Sequence, residues 1–399
     1  MPKRSLVVSM AVSAILLLAH QVMAVKVEIG NNKEFLVDGK LFFPVMQWLQ
    51  DARDMDKSIA IGVNTFAGIW QQTTPKAAAY LDACNKKNVY AILAFDERVK
   101  AHPNLLGWIH GDEPDLHGIK PAQLLPDYVH IKTRDKDHPV FVTLSANFDK
   151  KEDGAKGWEV SVYKAYKDVA DVIGFDTYPI YGSMRPDALW WVGSGIEELR
   201  KIVDDQLPTF EWIETSGGSR WVSPSHQRHP FPYEVRAEMY MAIVKGAKAL
   251  GLFTHSWVAP EKIGNPAFQE KAKSDTPDYS TFAIPQANQD EIKKVTSQIK
   301  RLTPVIYSPS TPGKVSKKAG GWIETLVKES AGKTYIFAVN FERKAGKVVF
   351  SVNGLKRGTR ITVDDESRDI EAGEGEFADE FSEHAVHIYT LDLHPRAHE

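Results

Sequence analysis

Leu105-Leu106-Gly107-Trp108-Ile109-His110-Gly111-Asp112-Glu113-Pro114 reads as a buried strand that runs out into charge. Its apolar half suits a strand covered on both faces, and Pro114 lacks the N–H that would extend it. The same grammar, an apolar run ending in polar or aromatic residues, recurs at 43–48, 63–70, 89–95, 140–144, 172–178, 209–213 and 251–257, beside 105–110 itself. Stretches with helical spacing separate these runs, among them 75–87, 121–133, 196–205 and 233–249, and a last helix over 290–302 stops before Pro304. Strand then helix, repeated, dictates parallel strands with crossover helices, and eight strands close a barrel. The expected fold class is α/β, a (β/α)8 TIM barrel, followed by a small antiparallel β-sandwich.

The flanks differ in character. Lys3 and Arg4 precede an apolar run from Leu6 to Ala19, and Val22-Met23-Ala24 offers a small-residue cleavage site, so 1–24 is expected to be a signal peptide cut after Ala24. That places the protein in the periplasm or outside the cell, with no membrane anchor. The barrel is expected over 25–307, opening with a short β leader in which Asp38-Gly39 makes a hairpin turn and closes the barrel's bottom. Ser308-Pro309-Ser310-Thr311-Pro312-Gly313 reads as a linker. Beyond it, β-branched and aromatic residues at 322–327, 334–340, 347–352, 360–363 and 385–391 predict a sandwich over 314–395. The single cysteine, Cys84, lies in a helix-like run and reads as a buried side chain. With 49 basic and 52 acidic side chains there is no positive excess for a nucleic acid. Oligomeric state is not legible.

In barrels of this kind the chemistry sits where strands end. Reading those ends gives Trp48, Trp70, Asp96 with Glu97, Asp112 with Glu113, Asn147, Asp176 with Tyr178 and Tyr181, Glu214, and Trp257, with Trp190, Trp191 and Trp221 in the following loops. Carboxylates and aromatic rings dominate. Two carboxyls flanking a bond, with rings for the apolar faces of a sugar, are what glycoside hydrolysis requires. His226-x-x-His229 lacks a third ligand nearby and reads as a solvated loop; neither a metal nor a cofactor is implied.

Trp108-Ile109-His110-Gly111-Asp112-Glu113-Pro114 resembles strand four of the clan A glycoside hydrolases, retaining enzymes on this barrel. Residues 208–215 resemble strand seven, 171–178 strand six and 253–257 strand eight of that group. The resemblance implies Glu113 as general acid/base and Glu214 as nucleophile. It also implies a carbohydrate substrate met by Asp112, Trp48, Trp70, Asp176, Tyr178, Tyr181, Trp221 and Trp257. Asp112 departs from the usual Asn: an ionised Asp accepts hydrogen bonds but donates none. An Asp-Glu pair also resembles the substrate-assisted N-acetylhexosaminidases, in which Asp orients a 2-acetamido group and no enzyme nucleophile is used. The choice between Glu211 and Glu214 stays open, as does a carbohydrate-binding barrel without turnover.

Overall fold

The computed structural model describes residues 24–149 and 157–393; the signal-peptide expectation falls on residues outside that range. Eight parallel strands close into a barrel: β1 (Val45–Trp48), β2 (Thr65–Ala67), β3 (Tyr90–Leu93), β4 (Leu105–Ile109), β5 (Val140–Ser145), β6 (Val172–Asp176), β7 (Thr209–Glu214) and β8 (Ala249–Phe253). Each pairs with the next in chain order, and β8 pairs with β1. All eight coincide with the apolar runs of the sequence. Large rings fill the interior where neighbouring strands leave room. Phe210 and Trp212 of β7 press against Gly174 on β6 and Gly251 on β8, occupying the space a Cβ would need there.

Seven helices are described: α1 (Met55–Ala60), α2 (Thr74–Lys87), α3 (Pro121–Arg134), α4 (Val160–Lys164), α5 (Trp190–Ile202), α6 (Pro232–Lys245) and α7 (Gln286–Ile306). The β3–β4 crossover breaks the pattern, holding a single 3-10 turn, Glu97–Val99, capped by Asp96 through the Arg98 N–H. The start of α5 lies well before residue 196, because Trp191, Val192, Ile196, Leu199 and Ile202 form one buried face. Trp190 and Trp191 are therefore helical, not loop residues. The last helix runs through Pro304, which falls in its final turn, where the missing N–H leaves only the carbonyl of the exposed Lys300 without its helical bond. Glu234 caps α6 by accepting the Phe231 N–H at 2.7 Å, and Gly246 ends it in the left-handed region at φ 109°.

Three leader strands (Val27–Ile29, Phe35–Val37 and Lys40–Phe42) form an antiparallel sheet around the turn at Asp38 and Gly39, both at positive φ. Phe35 stacks on Phe141 near the start of β5, so this sheet does close the barrel's bottom. The C-terminal part holds two antiparallel sheets, of three and five strands. Three of their strands, Val315–Ala319, Arg368–Glu371 and Glu376–Phe381, have no counterpart in the sequence reading, because charge dilutes their alternation. Phe337, Val339, Val386 and Ile388 join the barrel's own hydrophobic core, and Arg301 of α7 holds Asp364 at 2.8 Å, fixing the sheets to the barrel's flank. Cys84 is buried on α2, and burial pushes its thiol up to about 12, out of reach of ordinary thiolate chemistry.

Candidate active site

The carboxyl ends of the strands surround a cavity of about 160 Å³. Of the residues singled out by sequence, Trp48, Trp70, Asp112, Glu113, Asp176, Tyr178, Trp221 and Trp257 line it; Tyr181 and Glu214 do not. Asp96 lies outside, held by Arg98, and Glu97 pairs with Lys100 and Arg134. Asn147 donates to Ser145 Oγ at 2.9 Å.

The Asp112–Glu113 turn is clamped from both sides. Upstream, the His110 ring meets the Val169 carbonyl at 2.8 Å. Downstream, Asp115 accepts the Ser145 N–H at 2.9 Å and its hydroxyl at 2.7 Å, tying the turn to the end of β5. Between these anchors Glu113 adopts φ 41°, the left-handed region a non-glycine residue normally avoids. Such strain costs on the order of 1–3 kcal/mol and persists only where the surroundings enforce it.

From β6, Asp176 meets Glu113 side chain to side chain in a hydrogen bond, and Tyr178 donates to Asp176. Asp176 Oδ1 has no conventional donor in reach. Two carboxyls in contact need a proton between them, so the pair cannot be doubly ionised. Burial, and then the neighbouring acids, raise the second ionisation of this pair: Glu113 lies above its ordinary value and Asp176 well above. Asp112 opens onto the cleft, yet protein surrounds its carboxyl closely enough that lost hydration, then Glu113 and Asp115, push it up to about 7. Water entering through the mouth moderates that shift, so the direction carries the argument. A neutral Asp112 can donate a hydrogen bond, which the ionised form cannot.

Glu214 has a different environment. It is wholly buried, and its two oxygens accept the N–H groups of Ile180, at 2.8 Å, and of Tyr181. It also shares a hydrogen bond with Glu238 of α6, whose two oxygens have no conventional donor. Burial pushes Glu214 up to about 7 and Glu238 well above its ordinary value. Glu211 is buried too and accepts the Thr177 N–H at 3.1 Å, holding the bend that follows Asp176.

Aromatic rings form the walls. Trp70 and Trp221 are about half exposed, at 57% and 47%, presenting open rings to the mouth. Trp48 packs on Trp212, and Trp257 lies nearly parallel to Phe253 and His255. Tyr181 backs this wall, its ring edge-on to Phe253 and Trp221. Five lining residues were missed in the sequence, the apolar Leu49, Trp212 and Phe253 and two basic ones, Arg220 and His255. Arg220 lies over Trp221 and Trp257 at 5.6 and 5.3 Å, and nothing in the Gly217-Gly218-Ser219-Arg220 stretch announces it. His255 was legible, because strand alternation puts it on one face with Phe253 and Trp257. Its ring is held between Tyr279 at 2.6 Å and the Trp48 carbonyl at 2.9 Å, and burial lowers it to about 4, so it is neutral. His229 accepts the Gly217 N–H at 2.8 Å, which makes it a loop anchor.

No family model matches the chain, and no curated protein does either. Among solved structures, the α-amylase of Geobacillus thermoleovorans complexed with acarbose is similar over 87% of this chain and 98% of its own, at 10% identity and a TM-score of 0.54. AmyP in complex with maltose covers 90% and 97%, at 10% identity and 0.55. The noncanonic maltogenic α-amylase AmyB of Thermotoga neapolitana covers 88% and 99%, at 8% identity and 0.52. At these identities the likeness is one of architecture: a closed parallel barrel followed by antiparallel sheets.

Proposed function

We propose that this protein is a glycoside hydrolase in which Glu113 protonates the leaving glycosidic oxygen. The observation that carries the reading is the hydrogen-bonded Glu113–Asp176 pair within an aromatic-walled cleft at the strand ends. An acid catalyst must keep its proton near neutral pH; burial raises Glu113, and its pair with Asp176 retains one proton between the two carboxyls. The half-exposed rings of Trp70 and Trp221 suit the apolar faces of sugar rings. The similar α-amylase and AmyP were solved with acarbose and maltose, which agrees with a saccharide in the cleft.

The second half of the reaction has two routes. Nucleophilic attack by Glu214, with a covalent sugar intermediate, requires a carboxylate that does not line the cavity, held by two backbone N–H groups and Glu238, to reach the anomeric carbon. The substrate-assisted route needs no such displacement, and one observation favours it: Asp112, beside Glu113 and facing the cleft, is free to orient a 2-acetamido group against the anomeric carbon. Export to the periplasm or beyond belongs to the same reading, resting on the leader sequence.

Purified protein offered a glycan panel, matched in linkage and differing in the 2-acetamido group, tests this. Cleavage of 2-acetamido sugars, lost in Asp112→Ala, is the expected result. Cleavage of sugars bearing a 2-hydroxyl returns the nucleophilic route. Tight binding without product would show a carbohydrate-binding barrel and overturn the hydrolase reading.

A further inference from the structure

At the opposite end of the barrel a second cavity, about 190 Å³, gathers four cations around one carboxylate. Lys33 comes from the leader, Arg200 from α5, Lys248 from the residue before β8, and Lys328 from the strand Ile323–Ser330 of the C-terminal sheets. Asp205 is engaged by Lys33 at 3.1 Å and by Arg200 at 2.9 Å. Among the described residues, Lys248 and Lys328 have no carboxylate at ion-pair distance. Lys328 is only 3% exposed and donates to the Ser308 carbonyl at 2.5 Å, while Lys248 lies 5.6 Å from the Tyr307 ring. Glu34, the other nearby acid, accepts the Asn32 N–H at 2.8 Å.

A buried ammonium without a counter-charge is costly, and two sharing one cavity are costlier. Burial comes first in lowering Lys328 to about 7 and Lys248 to about 8, followed by repulsion from Lys248 on the first and from Lys33 on the second, which Asp205 and Glu34 partly oppose. Bringing in an anion removes that penalty without moving the chain. The volume equals that of about six waters at roughly 30 Å³ each, room for a small ion and part of its hydration. The cations arrive from four chain segments, and a tetrahedral oxyanion offers four oxygens to share among them where a carboxylate offers two.

We propose that this cavity is a binding site for a tetrahedral oxyanion, inorganic phosphate or sulfate, which links leader, barrel and C-terminal sheets. The test is thermal unfolding and titration calorimetry of the full chain with sodium phosphate, sulfate, acetate or chloride at matched ionic strength. Parent protein, Lys248→Met and Lys328→Met are compared. Expected is a saturable rise in Tm with phosphate or sulfate, a calorimetric stoichiometry near one, and about tenfold or greater loss of affinity in each variant. Which of the two oxyanions binds more tightly identifies the ligand. Both salts also stabilise proteins by exclusion from the surface, but that effect is unsaturable and would be unchanged in the variants. Such a result, or equal shifts with chloride or acetate, would overturn the proposal. If these two variants fail to fold, Lys33→Gln at the cavity rim carries the same comparison.

Discussion

Two pairs of acids in this barrel each share a proton, in different surroundings. Glu113 and Asp176 meet in a cleft walled by tryptophans, on a turn strained at φ 41° and clamped by Asp115. Glu214 and Glu238 meet in the interior, where backbone N–H groups of Ile180 and Tyr181 occupy the oxygens of Glu214. Burial raises both pairs. What separates them is where the remaining valences go: those of the first pair face space a substrate can fill, those of the second are spent on the fold. A raised carboxyl is thus no sign of catalysis by itself; its access to the cleft decides.

The comparison can be broken most sharply at Glu113. Glu113→Gln should lower kcat on any cleaved glycan by roughly 10²–10⁴-fold, the usual share of a positioned acid, with the fold intact by circular dichroism. Asp176→Asn should cost less but move the alkaline limb of the pH–rate profile to lower pH. Without Asp176 the raised second ionisation of the pair disappears, so an unmoved limb would uncouple the two carboxyls.

The buried pair should respond in stability. Glu214→Gln can accept only one of the two backbone N–H groups and should lose about 1–3 kcal/mol in denaturant unfolding. Glu238→Gln should have the smallest effect, seen only in pH dependence. Carboxyls raised in the fold above an unfolded value near 4.3 contribute stability that is complete below that value and lost as pH rises through the folded one, about 7 for Glu214. The amide introduced by Glu238→Gln can donate to Glu214 without a titrating proton, so part of that decline should vanish; the cleft acids supply the rest.

The barrel was legible because parallel strands buried on both faces are long apolar runs, and each of the eight left one. Strand ends then gave Asp112, Glu113, Asp176 and the tryptophans, since carboxyl ends of strands point to one mouth. The orientation of Glu214 was not legible. It is set by the Ile180–Tyr181 backbone, 34 and 33 residues upstream, and by an acid on a helix whose sequence looks merely amphipathic. Three of the four edge strands of the C-terminal sheets were hidden for another reason: charges that protect an edge erase the alternation by which a strand is recognised.

The most direct test of the division between the two pairs is kcat of folded Glu214→Gln on a glycan the parent cleaves. A value within about tenfold of the parent is the predicted result, beside the far larger loss in Glu113→Gln. Turnover abolished in a Glu214→Gln protein of native fold would make Glu214 the nucleophile and contradict the account.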